Sequence, residues 1–217
     1  MHRVQEFLST ARAWRGGALL ALAATLASSV AVAQHPQPAV PPARDTALFA
    51  GGCFWSMQKA FDHVPGVVAT TAGYAGGHTP HPSYEDVESQ TTGHAESVQV
   101  IYNPAALTYD KLLTAYWHSI DPVDPGGAFC DRGPQYRSVI FARDSVQRQI
   151  AQASKTVLAR RFNKPIATEI VSTTVFYPAE EYHQEFYKKN PVRYTLYREG
   201  CGRDRELQRV WGKEAGQ

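Results

Sequence analysis

The sequence predicts an α+β fold built as a single domain, with a mixed β-sheet packed against helices. Runs rich in β-branched or alternating apolar residues are interspersed with stretches at helical spacing, and the two kinds do not alternate strictly. Removing a 33-residue N-terminal leader from the 217-residue chain leaves 184 residues, which suits one domain with its own core.

The domain begins with a short apolar strand at 46–51, which a glycine pair ends, and good helix formers follow over 53–63. Residues 67–72 are mostly β-branched and predict a second strand. A loop rich in glycine, histidine and proline follows at 73–82, and one helical turn is expected at 84–89.

The middle of the domain contains a half-buried strand, because residues 96–102 alternate apolar and polar side chains. Apolar residues at helical spacing predict a helix over 108–120. A loop rich in proline and glycine occupies 121–135, and a loop of that length within a compact domain is often functional.

The last third is predicted to contain two strands and three helices. The strands are expected at 136–141 and 167–176, and the helices at 145–161, 179–188 and 203–211.

The first 33 residues are predicted to be a secretory signal peptide. A basic beginning precedes an apolar stretch at 17–27, and Ala-Val-Ala at 31–33 fits a cleavage site. An uncleaved membrane anchor is the alternative, but the apolar stretch is short. We therefore expect an exported protein, periplasmic or secreted, that is not held at a membrane after cleavage.

A proline-rich linker is predicted at 34–44, which places the catalytic domain at 45–217. The formal charge of +2 and the absence of a dense basic run argue against a nucleic-acid partner. No C-x-x-C or H-x-x-x-H spacing occurs, so no metal site is expected. We expect the protein to be a monomer.

Cys53 is the strongest candidate for a reactive residue. It follows Gly51 and Gly52 at the end of the first strand and lies where the first helix begins, so backbone N–H groups and the helix dipole favour an anion there. This position predicts a thiol pKa below the ordinary value of about 8.5. A buried structural cysteine beside the rings of Phe54 and Trp55 is the alternative.

Four further residues are weaker candidates from their types and positions. Glu96 begins a strand next to a flexible glycine and would act as a general acid if it were desolvated. Tyr84 and Tyr136 are phenol donors near loops, and Asp131 lies in the long loop at 121–135. Each also fits a purely structural role, such as a solvated carboxylate, a core tyrosine or a turn-capping aspartate.

Six segments, taken in order, resemble the peptide methionine sulfoxide reductase A family. The segments are Gly52-Cys53-Phe54-Trp55, Gly73-Tyr74-Ala75-Gly76-Gly77, Tyr84-Glu85-Asp86-Val87, Thr92-Gly93-His94-Ala95-Glu96, Gln135-Tyr136-Arg137-Ser138 and Ala179-Glu180-Glu181-Tyr182-His183-Gln184. They cover roughly residues 46–190, and any one of them alone would be a weak signal.

The resemblance implies a two-layer α/β sandwich and an enzyme that reduces methionine-S-sulfoxide, protein-bound or free. Cys53 would attack the sulfoxide sulfur and become a sulfenic acid, and Glu96 would protonate the departing oxygen. Tyr84 and Tyr136 would hold that oxygen. By the same resemblance, Asp131 would help to position the hydroxyl network.

The same resemblance assigns Phe54 and Trp55 to a pocket for the substrate methyl group. It implies no bound cofactor, and reduction by an external thiol such as thioredoxin or a thioredoxin-like protein. Cys201, between two glycines, is our candidate for the thiol that resolves the sulfenic acid, and Cys130 is its rival. An external reductant that attacks the sulfenic acid directly is the third route.

Two other classes of function remain open from the sequence. A cysteine hydrolase or acyl transferase would pair Cys53 with a histidine such as His183, whereas the reductase pairs it with Glu96. A non-catalytic module would bind oxidised or methionine-rich peptides in the aromatic pocket.

Overall fold

The structure is a computed structural model that describes residues 43–216. The predicted signal peptide and nearly all of the predicted linker lie outside these residues. The strands are β1 (Asp45–Gly51), β2 (Val67–Ala75), β3 (Ala95–Tyr102), β4 (Gly127–Ala128), β5 (Asp131–Arg132), β6 (Ser138–Ala142), β7 (Glu169–Ser172) and β8 (Phe176–Pro178). The helices are α1 (Phe54–Asp62), α2 (Tyr84–Glu88), α3 (Tyr109–Trp117), α4 (Ser145–Phe162), α5 (Phe186–Lys189), α6 (Pro191–Cys201) and α7 (Arg203–Trp211).

Six of the strands form one sheet in the order β7-β6-β1-β3-β2-β8. The β6–β7 pair is parallel and the other neighbours are antiparallel, so the sheet is mixed and the predicted fold class is confirmed. The remaining strands, β4 and β5, form a separate two-stranded sheet within the long loop at 121–135. None of the helices between residues 43 and 216 is both long and apolar enough to cross a membrane.

The central strand β1 carries apolar side chains on both faces. Phe49 belongs to the larger core cluster and stacks on Phe61 of α1 and Tyr116 of α3, with ring centroids 5.2 and 4.9 Å apart. Leu48 and Ala50 belong to a smaller cluster on the opposite face. Because successive strand residues point to opposite faces, β1 is buried on both sides and its end is held firmly.

The predicted strand at 167–176 is divided in the structure. Residues 169–172 form β7 beside β6 at one edge of the sheet, and residues 176–178 form β8 beside β2 at the other edge. The single predicted strand is therefore two short strands, which pair at opposite edges of the sheet.

The predicted helix at 179–188 is also wrong over most of its length, since turns precede the short helix α5. The amide of Gln184 bonds both the backbone N–H and the carbonyl of Ala72, each at 2.9 Å, and so holds the turns against β2. Glu185 then has a φ of 50°, which helical backbone does not adopt. Helix α6, in contrast, was not predicted; it starts at Pro191, a favourable first helical residue, and ends at Gly202 with a φ of 67°.

Candidate functional site

Cys53 lies at the junction of β1 and α1, as the sequence predicts. It is the N-cap residue of α1, and its carbonyl accepts the backbone N–H groups of Ser56 and Met57 at 3.1 and 3.2 Å. Gly52 makes the turn with a φ of 85°, and a Cβ there would lie 2.3 Å from the Cβ of Ala128. A residue with a side chain is therefore excluded from the position that aims Cys53 into the site.

The predicted low pKa of the Cys53 thiol is wrong for this structure. Only 6% of the residue is exposed, and burial together with the charges of Glu96 and Asp131 raises the thiol pKa well above its usual value. The Tyr197 hydroxyl and the Trp55 backbone N–H oppose the rise through hydrogen bonding, but they are outweighed. The field at a helix N-terminus acts on Cys53, but desolvation of a buried thiolate is the larger effect.

Glu96 is the second residue of β3, where it pairs with Tyr74 of β2, and it is 2% exposed. Its Oε2 accepts the backbone N–H of Phe54 at 2.8 Å, which places the carboxyl group against the residue that follows Cys53. Burial, with the nearby charges of Glu88 and Asp131, raises the pKa of Glu96 well above its usual value. The raised pKa favours the protonated form of the carboxyl group, which is the form that a general acid needs.

Tyr84 and Tyr136 approach Glu96 from different elements. Tyr84 opens α2, where its backbone N–H donates to Glu180 at 2.9 Å, and Tyr136 ends a 3₁₀ turn, where its hydroxyl donates to Glu88 at 3.0 Å. Burial raises the pKa of both phenols, and the charge of Glu96 adds to the rise in each. Both hydroxyl groups are therefore neutral donors within the electrostatic range of the acid.

The aromatic residues after Cys53 differ in their exposure. Phe54 is 1% exposed and packs against Tyr74 and His183, with ring centroids 5.9 and 4.9 Å away. Trp55 is half-buried and stacks on Phe186 at 3.7 Å. Its indole N–H donates to His183 Nδ1 at 3.0 Å, so the ring has a fixed orientation. The Trp55 ring therefore keeps exposed surface for a ligand, whereas the Phe54 ring is buried in the core.

Asp131 joins Cys53 to the C-terminal helices. Its carboxylate accepts the Tyr197 hydroxyl at 2.6 Å and also receives the backbone N–H of Cys53. Burial raises the pKa of Asp131, although these bonds and the charge of Arg203 oppose the rise. Asp131 therefore links the backbone of the nucleophile to α6.

Cys130 and Cys201, which the sequence analysis treats as rivals, form a disulfide bond with each other. Their Cα atoms are 5.0 Å apart, and Cys53 is the free cysteine of the three. The two sulfur atoms and an Asp131 carboxylate oxygen all lie within 4.8 Å of one another. The disulfide thus adjoins the carboxylate that faces Cys53, with Cys130 exposed and Cys201 half-buried.

Arg203 is a buried residue of the site that was not predicted from the sequence. It is 1% exposed, and its Nη2 donates to the carbonyls of Gly51 and Ser119 at 3.1 and 2.9 Å. The guanidinium also lies over the Phe129 ring, 4.7 Å from its centroid. Arg203 thereby fastens the start of α7 to the end of β1, and its charge acts on both Cys53 and Asp131.

The structure connects five of the predicted residues through a chain of electrostatic interactions: Cys53, Glu96, Tyr84, Tyr136 and Asp131. Trp55 forms one wall beside them. Tyr197 and Arg203 were missed because they lie beyond the segments that carry the family resemblance. Their one local signal is position, since Tyr197 precedes Cys201 by one helical turn and Arg203 follows it by two residues.

A free buried cysteine near a carboxyl group of raised pKa, with a disulfide beside a second carboxylate that also acts on the cysteine, is the arrangement of a thiol-dependent oxidoreductase. Residues 45–215 match the family model described as peptide methionine sulfoxide reductase. The chain is 52% identical over 173 residues to peptide methionine sulfoxide reductase MsrA of Bacillus licheniformis, a match that covers 79% of this chain and 96% of the relative.

Two solved structures support the same family. Mxr1 from Saccharomyces cerevisiae in its reduced form has a TM-score of 0.67 at 32% identity, over 70% of this chain and 89% of that one. Methionine sulfoxide reductase A of Corynebacterium diphtheriae has a TM-score of 0.64 at 34% identity, over 70% and 77%. The chain therefore belongs to the peptide methionine sulfoxide reductase family.

Proposed function

We propose that this protein reduces methionine-S-sulfoxide, protein-bound or free, to methionine and thereby repairs oxidised proteins. The observation that carries the proposal is the buried Glu96 carboxyl group, bonded to the Phe54 N–H at 2.8 Å and in electrostatic contact with the free thiol of Cys53. A sulfoxide oxygen leaves only when it is protonated, and this site places an acid next to a nucleophile.

The first half of the reaction transfers one oxygen atom. Cys53 attacks the sulfoxide sulfur and Glu96 protonates the oxygen. The hydroxyl group then passes from the substrate sulfur to the Cys53 sulfur as the transient bond between the two sulfurs breaks, which leaves methionine and a Cys53 sulfenic acid. Tyr84 and Tyr136 are neutral donors that hold the oxygen as its charge develops. The exposed part of the Trp55 ring receives the methyl group on sulfur.

The second half returns Cys53 to its thiol. With Cys130 and Cys201 reduced, Cys201 attacks the sulfenic acid, which releases water and forms a Cys53–Cys201 bond; Cys130 then displaces Cys53 and forms the Cys130–Cys201 disulfide. The exposures support this order, because the half-buried Cys201 is the more shielded sulfur and Cys130 is open to an outside reductant. That reductant is an external dithiol protein, thioredoxin or a thioredoxin-like partner.

A cysteine hydrolase or acyl transferase has less support. Its histidine would have to act on Cys53, but His183 Nδ1 accepts the Trp55 indole N–H, and burial lowers the pKa of His183. The largest side-chain influences on the Cys53 thiol come from the acids Glu96 and Asp131 and the Tyr197 hydroxyl, and no histidine is among them.

We further propose that the protein acts outside the cytoplasm as a monomer, with a domain at 45–217 behind a cleaved signal peptide at 1–33 and a linker at 34–44. The basic start, the short apolar stretch and the Ala-Val-Ala site support export. Mass spectrometry of the protein purified from its host would give the mature N-terminus, and a start other than Gln34 would contradict the cleavage site.

The reaction is tested with separate methionine sulfoxide epimers. The protein and dithiothreitol are incubated with the S or the R epimer, as the free amino acid and within a peptide, and released methionine is measured. We expect product from the S epimer alone, and none from Cys53→Ser. Binding of the oxidised peptide without any methionine formation would instead identify a non-catalytic binding module.

A further inference from the structure

The Tyr197 side chain extends from α6 to the nucleophile. Its hydroxyl donates to Asp131 Oδ2 at 2.6 Å and makes a hydrogen-bonding contact with the Cys53 thiol. Its ring meets the Trp55 ring edge-on, with centroids 5.7 Å apart and an interplanar angle of 86°. Tyr197 therefore touches the reacting sulfur, the nearby carboxylate and the wall of the pocket at once.

The direction of these hydrogen bonds follows from the number of protons. A phenol has one proton, and the 2.6 Å distance to Asp131 is that of a charge-assisted O–H···O⁻ bond, so the proton points to Asp131. While Cys53 is a protonated thiol, the lone pairs of the Tyr197 oxygen are left to accept its S–H, whereas a Cys53 thiolate would instead accept the Tyr197 proton. The result is a continuous chain from the Cys53 sulfur through the Tyr197 oxygen to the Asp131 carboxylate.

We propose that Tyr197 is a catalytic residue that carries the thiol proton from Cys53 to Asp131 as Cys53 attacks the sulfoxide. This inference rests on the proposed function and deepens it. It addresses a need that the buried site creates: the thiol starts protonated, and its proton has no direct way to water because only 6% of Cys53 is exposed.

The proton balance of the step closes. The Cys53 proton moves to the Tyr197 oxygen while the Tyr197 proton moves to Asp131, so Tyr197 is neutral before and after. Glu96 gives its proton to the departing oxygen, which ends as the sulfenic acid hydroxyl on Cys53. The proton held by Asp131 then returns to Glu96 through water, and the net reaction is thiol plus sulfoxide to sulfenic acid plus sulfide.

The surroundings of Cys53 favour Asp131 as the acceptor. Charged or titratable groups reach the thiol from β3, β5, α2, α6 and α7, and they are Glu96, Asp131, Tyr84, Tyr197 and Arg203. Glu96 is occupied by the proton it must deliver, and Tyr84 and Arg203 already carry their protons. Asp131 is the carboxylate among them that already accepts the Tyr197 hydroxyl, at 2.6 Å, and its raised pKa makes it a better base.

The test is a single turnover of the fully reduced enzyme with methionine-S-sulfoxide and no external reductant. Tyr197→Phe keeps the ring against Trp55 but removes the hydroxyl, and we expect methionine formation to slow by at least about tenfold. Tyr194→Phe is the matched control, since Tyr194 lies one turn earlier on α6 and its hydroxyl accepts from Arg198. We expect this control to stay within about twofold of the natural rate.

Two further readouts separate a proton path from a structural role. The natural rate should fall at acid pH as Asp131 becomes protonated, and this acid limb should be lost in both Tyr197→Phe and Asp131→Asn. The Tyr197→Phe/Asp131→Asn double variant should be no slower than the slower single variant, because both substitutions interrupt the same proton path from Cys53.

A Tyr197→Phe rate within twofold of natural, or a double variant whose defects multiply, would overturn the proposal. Natural enzyme that forms no methionine would instead overturn the proposed function. Thermal unfolding of each variant, compared with Tyr194→Phe, shows that the rates refer to folded protein.

Discussion

Reduction of the Cys130–Cys201 disulfide should destabilise the protein by a measurable amount. The bond closes a loop with a sequence separation of 71, and the loss of this constraint from the unfolded chain corresponds to about 4 kcal/mol by the loop-entropy relation. That is a large share of the roughly 5–15 kcal/mol by which a domain is stable. For a chain of this size it corresponds to a fall of about 8–16 °C in Tm.

The measurement compares unfolding in urea or by heat, with and without reductant, in a Cys53→Ser background. That background leaves the disulfide in place and prevents thiol exchange during unfolding. The same protein with Cys130→Ser and Cys201→Ser added is the control, and its stability should match the reduced form under both conditions. Thiol titration after reduction confirms that the bond was open.

The reasoning fails if the oxidised and reduced forms unfold with free energies within about 1 kcal/mol, against the about 4 kcal/mol expected from loop entropy. Such a result would mean that residues 130 and 201 stay near each other in the unfolded chain. If Cys201 and Cys130 regenerate Cys53 as proposed, the enzyme passes through this less stable reduced form in every catalytic cycle.

Three further predictions concern the site itself. Glu96→Gln should slow the first turnover by about 10²–10⁴-fold. Because the pKa of Glu96 is raised in the folded protein, the activity of the natural enzyme should fall as the pH rises through that folded-state pKa. The free energy of unfolding should also fall as the pH rises from the unfolded-state pKa of 4.5 to the folded-state pKa. Glu96→Gln should lose both pH dependences. Iodoacetamide modification of Cys53 without substrate should have a midpoint above about 8.5, and a midpoint below it would contradict the burial argument. Gly52→Ala should destabilise the protein by more than about 1 kcal/mol, because its Cβ would lie 2.3 Å from that of Ala128. The matched control Gly200→Ala, in α6 with open space around it, should be neutral or stabilising in the same denaturation experiment.

The sequence by itself determined the features that depend on neighbouring residues. The glycine pair between an apolar strand and a helix-forming stretch located Cys53, and the structure places it at the N-cap of α1. The order of the short motifs indicated the family, which the comparisons confirm over residues 45–215. The mixture of strand and helix patterns was enough for the fold class, because each pattern is set by local spacing.

Tertiary structure decided the features that depend on residues distant in the chain. Desolvation by the whole domain raises the Cys53 pKa and outweighs the local helix field. Tyr197 meets Asp131 across 66 residues, and Cys130 meets Cys201 across 71, because α6 folds back over the active site. No local sequence pattern predicts that α6 packs over the active site, because Tyr194 is its one buried side chain. The position of α6 is instead set by the contacts of its residues with distant parts of the chain. The physical reason is that a segment's own sequence gives its preference for helix or strand, whereas pKa values, bond partners and proton paths are set by whichever groups the completed fold brings together.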